Sequence, residues 1–536
     1  MVNIAWFKRD LRVADNAALS SAVNCGDVLP LYIFEPELWQ QPDMSRRHYD
    51  FLKECLISLR ADLKVLGLTL VIKTGDTLDI LQSIHERYTV KSIWSHQETW
   101  NGWTYQRDIR VKQWTLTNNI QWNEPAQNGV VRNIRTRNGW SANWNKEMRK
   151  PSSILNPING VVDEGSDNIP SPEQLTLSDD SCRNRQSGGR LEAQTLLKTF
   201  LYQRGKEYSK EMSSPVTAFD SCSRLSPHFA FGTISVREAF SAAEKRIDEL
   251  KSISPEERGN WMRAVRSFAG RLRWHCHFIQ KLEDQPSIEF DNMHPLYDGL
   301  RENDFNEEYF EAWREGRTGY PMVDACMRAL KETGWINFRM RAMLMSFSSY
   351  HLWLHWRRPA LYLAKLFTDY EPGIHYSQAQ MQSGTTGINS IRIYNPIKQG
   401  FDHDPKGDFI RKWIPELGAT SNELIHKPII ENSRSHDYPC PIVDENSARK
   451  TAAGKIYNLR RTASHKEQAK TIFIKHGSRK SPSIRRQKDT KTNHAQGELS
   501  FDMSIKKTIP AKGNGKYTSK HDILENDAVG NITTNE

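Results

Sequence analysis

Two groups of residues have the types and the spacing to take part in chemistry. The run from Ser221 to Pro227, Ser-Cys-Ser-Arg-Leu-Ser-Pro, places small polar residues just before a helical pattern. Backbone N–H groups at a helix start can meet phosphate oxygens, although the same residues also suit an ordinary helix cap. His275 and His277 suggest a metal pair, but residues two apart do not share a helix face. Ordinary packing or solvent exposure is therefore the better interpretation, and no metal is expected.

The elements that must position these residues fall into two classes. Up to about residue 150, short apolar runs alternate with amphipathic stretches, which indicates a parallel sheet covered by helices on both faces. From about residue 190 onward, strand signals vanish and a helical period dominates. We therefore predict an α/β doubly wound domain at 2–135, an interdomain linker at 136–189, an all-α domain at 190–444 and a tail at 445–536.

Length and composition set limits on the class of protein. A chain of 536 residues is too long for a single core. It has no apolar run of the roughly 20 residues needed to cross a bilayer and no secretory signal at its N-terminus, so no membrane partner is expected. The seven cysteines are scattered without paired spacing, which favours reduced thiols in the cytoplasm. We expect a cytoplasmic monomer.

The net charge of +10 arises in the C-terminal segment alone. Residues 445–536 hold 19 Lys and Arg against 9 Asp and Glu, and the rest of the chain has 55 of each sign. Basic segments of low hydrophobicity commonly stay disordered and bind polyanions through counterion release. We expect a disordered tail that either binds nucleic acid or only keeps the protein soluble.

Longer motifs carry a resemblance to a known family. Residues 4–16 read Ile-Ala-Trp-Phe-Lys-Arg-Asp-Leu-Arg-Val-Ala-Asp-Asn, 316–324 read Gly-Arg-Thr-Gly-Tyr-Pro-Met-Val-Asp and 333–341 read Thr-Gly-Trp-Ile-Asn-Phe-Arg-Met-Arg. They resemble the opening signature and the flavin-pocket signature of the photolyase/cryptochrome family. The resemblance extends with gaps from about residue 2 to about residue 444. It implies an antenna-type α/β domain followed by a helical FAD-binding domain.

The resemblance also implies the residues that hold FAD. They are Tyr208, Cys222, Ser223, Arg224, Leu225, Ser226, Phe268, Arg341, Asp369, Tyr370 and Glu371. Arg341 matches the arginine that pairs with the first of two acids beside the flavin ring, and such a pair is the expected way to keep a buried carboxylate ionised. Cys222 replaces the usual Thr or Ser and is a weaker hydrogen-bond donor. His375 aligns opposite flavin N5, with Gly373 as the competing assignment.

The family's DNA-facing cavity aligns with a second set of residues. They are Arg271, Trp274, Trp335, Phe338, Arg339 and Met381. Trp274 matches the aromatic platform on which a flipped lesion stacks, an interaction worth about 1–3 kcal/mol per base. Two positions depart from typical cyclobutane-dimer photolyases, because Arg271 replaces a glutamate and Phe338 replaces an asparagine. Lesion recognition must therefore differ.

The electron-transfer route departs from the family as well. Trp356 matches the middle tryptophan of the family's three-tryptophan chain, but Ala379 and Asn303 occupy the inner and outer positions. A relay through Tyr370, Tyr376, Trp353 or Trp335 is the alternative, although abundant aromatic residues also suit core packing. The folate-antenna positions hold Trp103 and Thr104, which do not match, so a second antenna chromophore would be of unknown identity.

The leading hypothesis is light-driven repair of cyclobutane pyrimidine dimers in DNA by electron transfer from reduced FAD. Trp274, His375 and Trp356 would take part in that reaction, with UV-damaged DNA as the partner. The alternative is a cryptochrome-like blue-light photoreceptor without repair activity. A (6-4) photolyase ranks last, because Asn337 and Phe338 occupy the places of its usual histidine pair.

Overall fold

A five-stranded parallel sheet forms the centre of the N-terminal part of the chain. The computed structural model describes residues 1–156, 160, 162, 164–427 and 437–477. The strands are β1 (Val2–Phe7), β2 (Val28–Phe34), β3 (Val71–Thr74), β4 (Val90–Trp94) and β5 (Gln121–Asn123). Their order in the sheet is β3-β2-β1-β4-β5, and every neighbouring pair is parallel.

Six helices lie in the same part of the sequence as this sheet. They are α1 (Ala17–Asn24), α2 (Pro36–Trp39), α3 (Arg46–Val65), α4 (Thr77–Tyr88), α5 (Gly102–Thr117) and α6 (Trp140–Met148). Strands β1 and β2 are buried along their whole length, as expected for apolar runs at the centre of a parallel sheet. Along β1 the side chains alternate between two cores, one under α1 and α3 and one under α4 and α5. The predicted doubly wound α/β architecture is confirmed.

The second domain is helical, as predicted. Its helices are α7 (Arg190–Thr199), α8 (Tyr208–Glu211), α9 (Ala218–Ser221), α10 (Ser226–Ala230), α11 (Val236–Lys251), α12 (Pro255–Arg258), α13 (Trp261–Asp284), α14 (Glu307–Glu315), α15 (Pro321–Thr333), α16 (Phe338–Ser346), α17 (Arg357–Leu366), α18 (Pro372–Ser383), α19 (Pro396–His403) and α20 (Asp408–Trp413). Short π-helical turns lie at Phe200–Arg204 and Phe347–His351, and 3₁₀ turns at Pro286–Glu289, Pro295–Tyr297 and Pro415–Leu417. The long helix α13 packs against α11 and α18, which places it at the centre of the domain.

The two domains are joined by buried polar contacts. Asp15, in the loop after β1, accepts hydrogen bonds from Ser235 Oγ and Arg237 Nη1, each at 2.6 Å. Arg12 Nη1 donates to the carbonyl oxygen of Gly232 at 3.0 Å. Gly232 has a φ of +69°, and a Cβ at this position would lie 2.2 Å from the carbonyl oxygen of Arg9. Only glycine therefore permits this close approach of the two domains.

Part of the predicted linker belongs to the helical core. Helix α6 lies within 136–189, and its Trp144 packs edge-on against Phe240 of α11 with ring centroids 5.1 Å apart. Three buried apolar residues at helical spacing, Trp140, Trp144 and Met148, explain why this piece packs. The described residues from 149 to 189 contain no helix or strand.

Two helices stand where the sequence predicts a disordered tail. They are α21 (Glu445–Arg460) and α22 (Ala463–His476), and residues 478–536 of the predicted tail lie outside the described residues. Ala452 and Ile456 of α21 are buried against Tyr297 and Tyr350, so a few apolar residues suffice to dock a polar helix. Ala452 and Ile456 could not be recognised from the sequence as docking residues, because the average composition of the segment is polar and basic. None of the helices in the part of the chain that the structure describes has the length and apolar composition that a bilayer crossing requires.

Candidate functional site

An arginine–aspartate pair lies between α16 and the turn before α18. Arg341 Nη1 donates to Asp369 Oδ1 at 2.9 Å, and Nη2 donates to Oδ2 at 2.8 Å. The third donor, Nε, bonds the carbonyl oxygen of Ile336 at 2.8 Å, and the guanidinium lies 4.0 Å from the ring centroid of Phe367. The Asp369 side chain is 3% exposed, whereas that of Arg341 is 25% exposed. The carboxylate is thus fully paired, and the guanidinium keeps a solvent-accessible edge.

The second acid, Glu371, has a histidine as its cationic partner. His275 Nε2 on α13 lies 2.9 Å from Glu371 Oε2, and both side chains are largely buried. Burial alone would lower the pKa of His275, but the charge of Glu371 and its hydrogen bond raise that pKa to about 10. His275 is therefore a cation at neutral pH. The sequence does not reveal this ion pair, because the two residues lie 96 positions apart.

A small cavity lies beside this ion pair, between the two domains. Its lining includes His275, Glu371, Arg9 and Trp100. Its volume is about 40 Å³, which is room for about two or three water molecules. The Arg9 guanidinium lies over the Trp100 ring, 3.6 Å from the centroid. Sequence reasoning did not single out either residue for this position.

The segment 221–226 contains a loop that lies near four arginine side chains. Arg224 has a φ of +61°, a left-handed conformation that a non-glycine residue adopts only when its surroundings impose it. Burial raises the pKa of the Cys222 thiol to about 12, although the charges of Arg224, Arg204, Arg271 and Arg341 oppose the rise. The thiol is therefore neutral, and the loop lies in a strongly electropositive environment. Such an environment suits a polyanion.

Arg204 holds this loop in place and was missed from the sequence. Its Nη1 donates to the carbonyl oxygens of Asp220, at 2.8 Å, and of Cys222, and its Nη2 donates to the Ser223 carbonyl at 2.8 Å. Three carbonyls of one turn thus point toward a single guanidinium. An arginine in a polar stretch carries no sequence signal for such a role.

Arg224 itself is a partly buried cation without an acid at ion-pair distance among the residues that the structure describes. Its Nε donates to Gln186 Oε1 at 3.2 Å, and its guanidinium lies 4.0 Å from the ring centroid of Trp335. Burial lowers the pKa of Arg224 to about 10. A bound anion would remove this cost.

Three more of the predicted cofactor residues, Tyr208, Leu225 and Phe268, are buried together in one apolar core. Tyr208 and Phe268 both pack on Phe200, with centroid distances of 5.3 and 4.9 Å. Leu225 is fully buried in the same core, and Ser226 begins α10. Burial raises the pKa of Tyr208 to about 12, so its phenol stays neutral.

His375 has a fixed tautomer. Its Nε2 lies 2.8 Å from the carbonyl oxygen of Ala360, which can only accept, so Nε2 carries the proton and Nδ1 carries the lone pair. Burial lowers the pKa of His375 to about 4. Arg341 and Asp369 are close enough to influence this pKa, which places His375 beside the first ion pair. Gly373 faces elsewhere, since a Cβ there would lie 2.6 Å from the Cα of Ile279.

The predicted DNA-side residues are distributed along several helices. Trp274 is partly exposed on α13 and contacts His277 and Phe278, with centroid distances of 5.1 and 5.9 Å. Met212 contacts one of the altered positions and the neighbour of the other, because Arg271 Nη2 lies 3.6 Å from its Sδ and Asn337 Nδ2, next to Phe338, donates to its carbonyl oxygen at 3.1 Å.

The other members of this set differ in exposure. Phe338 is 37% exposed, Met381 is buried and Arg339 is partly buried, with its pKa lowered by burial. Trp335 is buried and packs edge-on against Phe219 at 5.0 Å. Phe338 therefore offers an apolar surface to solvent.

Trp356 is fully buried, and its Nε1 donates to Asn292 Oδ1 at 2.8 Å. Its ring lies 6.2 Å from Tyr376, and Tyr376 lies 6.3 Å from Tyr370. Ala379 offers no aromatic ring at the inner position. Trp335 and Trp353 are two of the aromatic residues considered for an alternative relay. Each lies under a cationic side chain, Arg224 and Arg301 respectively.

Comparisons with known proteins agree with this arrangement. Residues 268–458 match the family described as the FAD binding domain of DNA photolyase, and residues 3–143 match the family DNA photolyase. Cryptochrome-1 from Sinapis alba is 30% identical over 456 residues, which cover 79% of this chain and 88% of that protein. Deoxyribodipyrimidine photo-lyase from Vibrio cholerae is 27% identical over 487 residues, which cover 84% of this chain and 97% of that enzyme.

The solved structures lead to the same family. The archaeal photolyase from Sulfolobus tokodaii, crystallised with two FAD molecules, aligns with a TM-score of 0.70 and 27% identity over 85% of this chain and 100% of that one. Its description implies a novel light-harvesting cofactor in that protein. The parallel-sheet domain, the helical domain and the relatives agree, and this chain belongs to the photolyase/cryptochrome family and carries its FAD-binding domain.

Proposed function

We propose that this protein repairs cyclobutane pyrimidine dimers in DNA with light, using reduced FAD. The observation that carries the proposal is the adjacency of Trp274 and His275 on α13. His275 forms the buried ion pair with Glu371, one of the two acids assigned to the flavin, and Trp274 is the platform assigned to the lesion. One helix turn therefore links the cofactor side to the substrate side, which suits electron transfer between them.

The residues of the helical domain fit an anionic dinucleotide. When bound, reduced FAD supplies a light-excited donor of one electron. Arg224, a partly buried cation without an acid partner among the described residues, would meet the diphosphate beside the loop that Arg204 holds. Arg341 and Asp369 would lie beside the ring, where the accessible edge of the guanidinium favours an anionic form. Tyr208 and Phe268 would close the apolar side.

His375 would act on flavin N5 as an acceptor. Because its Nε2–H is committed to Ala360, only the lone pair of Nδ1 remains for a ligand. The imidazole stays neutral above a pKa of about 4, so it adds no positive charge near N5.

The DNA-binding side would recognise its substrate through contacts that differ from those of typical cyclobutane-dimer photolyases. Trp274 would stack on a flipped base, and Arg271 and Arg339 would meet phosphates near the lesion. Phe338 replaces a hydrogen-bonding amide with a partly exposed ring, which favours stacking over base-edge recognition. Trp335 and Met381 would line the cavity wall.

The experiment is a repair assay on the full chain with chemically reduced flavin. A dimer-containing oligonucleotide is irradiated with the protein, and the return of thymine absorbance is followed. We expect recovery that requires light and reduced flavin. The same oligonucleotide in the dark and a Trp274→Ala protein are the controls, and the variant should repair more slowly at low DNA concentration. A fully reduced, flavin-loaded protein that gives no recovery contradicts the proposal.

The second candidate is a blue-light photoreceptor without repair activity. Two observations favour it: the similarity to cryptochrome-1 from Sinapis alba, and the replacement of two lesion-contacting residues by Arg271 and Phe338. The repair assay separates the two functions, because a receptor would bind FAD, respond to light and leave the dimer intact. An oligonucleotide with a (6-4) photoproduct in the same assay tests the third function.

A second chromophore would be seen in the absorption spectrum of the purified protein. We propose no identity for it, because Trp103 and Thr104 do not match the folate-binding pattern. The interdomain cavity beside Trp100 has room for only a few water molecules, so a pigment there would require the domains to part. Extraction of the bound pigments followed by mass spectrometry would identify any chromophore besides FAD.

A further inference from the structure

A buried arginine without an acidic partner lies close to α21. Arg301 is 2% exposed, and no carboxylate of the described ranges lies at ion-pair distance from its guanidinium. The next residue, Glu302, accepts from the backbone N–H of Arg301 at 2.9 Å, and its other carboxylate oxygen lies 3.6 Å from His355 Nε2. Burial lowers the pKa of Arg301 to about 10, so the guanidinium stays charged at neutral pH. A buried positive charge without a counterion is costly.

The free donors of Arg301 lie on one edge of the guanidinium. Its Nη1 donates to the carbonyl oxygen of Ser383 at 3.1 Å. Its Nε and Nη2 are buried and have no hydrogen-bond partner among the residues that the structure describes. These two groups form the parallel fork that binds two oxygens of one carboxylate or phosphate group. A water molecule could accept a hydrogen bond here, but it would not neutralise the charge.

Three more buried donors close to Arg301 have no hydrogen-bond partner within the described ranges. They are the hydroxyl of Tyr350, Nε1 of Trp353 and Nη2 of Arg460. The Arg301 guanidinium lies 5.5 Å from the ring centroid of Tyr350 and 4.5 Å from that of Trp353. Burial raises the pKa of Tyr350 to about 12, although the charges of Arg301 and Arg460 oppose the rise. The phenol therefore keeps its proton, and both cations lie near it.

Helix α21 supplies two of the cations at this place. Arg460 Nε donates to the phenol oxygen of Tyr297 at 3.0 Å, and its Nη1 donates to the carbonyl oxygen of Asn389 at 2.7 Å. Lys455 is exposed, and its Nζ lies 4.5 Å from the ring centroid of Trp353. Like charges held close together repel one another, and an anion between them would turn that repulsion into attraction.

The backbone is adapted to this arrangement at two positions. Trp353 has a φ of +54°, a left-handed conformation that a bulky residue adopts only when its surroundings impose it. Gly384 has a φ of +81°, and a Cβ there would lie 2.3 Å from the phenol oxygen of Tyr350. Glycine therefore permits the close approach of the Tyr350 hydroxyl to the end of α18, where Ser383 bonds Arg301.

We propose that Arg301, Arg460 and Lys455 form a binding site for a phosphate group. The Nε–Nη2 edge of Arg301 holds two oxygens of the ligand, and Arg460 Nη2 and the Tyr350 hydroxyl donate to the others. Lys455 lies on the solvent side and attracts the anion. A phosphate fits this set of donors better than a carboxylate, because it offers more acceptor oxygens and more negative charge. The ligand joins α21 to the rest of the helical domain, and the inference does not depend on repair or on light.

The test is calorimetric titration of the flavin-loaded full chain with inorganic phosphate in the dark. We expect one saturable site per chain and an unchanged flavin absorbance, because the flavin diphosphate keeps its own site. Arg301→Gln should weaken binding by at least about tenfold, since two charge-assisted hydrogen bonds are lost. Lys455→Gln should weaken it by about two- to fivefold. Lys450→Gln is the matched control, because Lys450 is also an exposed lysine of α21. This variant should bind like the natural protein.

Hydrogen exchange gives a second measurement. Phosphate should slow exchange of the backbone amides of α21, which the ligand ties to the domain, and leave those of α5 unchanged. Ribose 5-phosphate in the same titration distinguishes the source of the ligand. Tighter binding of the ester indicates a phosphorylated metabolite, and tighter binding of inorganic phosphate indicates the free ion.

Three results would overturn the inference. The first is a natural protein that shows no saturable binding of either phosphate compound up to about 10 mM. The second is an equal affinity of the natural protein and Arg301→Gln, and the third is an equal loss in Lys455→Gln and Lys450→Gln. If Arg301→Gln fails to fold, the two lysine variants still decide, because both side chains are exposed. The repair assay needs light and damaged DNA, so its failure leaves this result unchanged.

Discussion

The segment from Asp369 to Glu371 has two sides with opposite electrostatics. On one side, Asp369 and Glu371 are each paired with a cation, Arg341 and His275. On the other side, Tyr370 meets Asp43 and no cation at ion-pair distance among the described residues. A buried carboxylate thus has a cationic partner on one side, whereas on the other side its hydrogen-bond donors are the neutral groups of Asn101 and Tyr370.

The difference indicates two tasks for one short segment. The paired side presents fixed, ionised groups and a net positive edge, which suits an anionic cofactor. The unpaired side instead joins the two domains, because Tyr370 of the helical domain donates its hydrogen bond to Asp43 of the α/β domain. The backbone turn at 369–371 separates the two environments by a single residue.

The largest effect is expected from removing the cation of the paired side. Arg341→Ala leaves Asp369 buried without a partner, and breaking such a pair costs about 3–5 kcal/mol in the free energy of unfolding. Urea denaturation measures this loss, and flavin absorbance should fall with it. Arg358→Ala is the control, since its pair with Glu307 is exposed and should contribute less than about 1 kcal/mol. Equal losses in the free energy of unfolding of the two variants would mean that the Arg341–Asp369 pair contributes no more to stability than an exposed pair.

The His275–Glu371 pair makes a pH-dependent prediction. The pKa of folded His275 is raised to about 10 from an ordinary value near 6.5, so its contribution is fully present below pH 6.5 and is lost as the pH rises toward 10. We expect the natural protein to lose on the order of 5 kcal/mol over this range relative to His275→Gln. Urea denaturation of both proteins at several pH values measures the difference. Parallel pH profiles would contradict a charged His275.

Trp274→Ala tests whether the helix that carries His275 also serves the substrate. We expect the affinity for dimer-containing DNA to fall by about 1–3 kcal/mol, because the stacking platform is lost. Flavin content should stay the same, since Trp274 contacts His277 and Phe278 and lies outside the two ion pairs. Fluorescence anisotropy with damaged and undamaged oligonucleotides measures the effect. Trp274→Phe keeps an aromatic ring, so its affinity for dimer-containing DNA should fall less than that of Trp274→Ala.

Much of the paired side could be predicted from the sequence. The strands were visible as apolar runs, and Arg341 and Asp369 lie in motifs whose order along the chain is that of the family. His275 was misjudged because only its spacing from His277 was considered, and its partner lies 96 residues away on another helix. Helix α21 was missed because a long basic segment hides the two residues, Ala452 and Ile456, that anchor it.

The unpaired side could not be predicted from local patterns. Asp43 belongs to the α/β domain and Tyr370 to the helical domain, so their contact depends on how the two domains dock. That docking is set by buried polar contacts such as Ser45 Oγ donating to the carbonyl oxygen of Lys365 at 2.8 Å. No motif or periodicity near residue 43 carries information about residue 370. From the sequence alone, an acidic residue in a loop is expected to be a solvated side chain.

The smallest effect is expected from neutralising the acid of the unpaired side. Asp43→Asn removes a buried charge without an ion-pair partner in the described part of the chain and keeps an oxygen that can accept from Tyr370, so the free energy of unfolding should change by less than about 1 kcal/mol or rise. Asp369→Asn, the matched change on the paired side, should cost about 3–5 kcal/mol because Arg341 loses its charge partner. Urea denaturation of both variants at neutral pH gives the comparison. A similar loss in both would show that Asp43 is stabilised as strongly as Asp369, and the two sides would then not differ in the way that their contacts indicate.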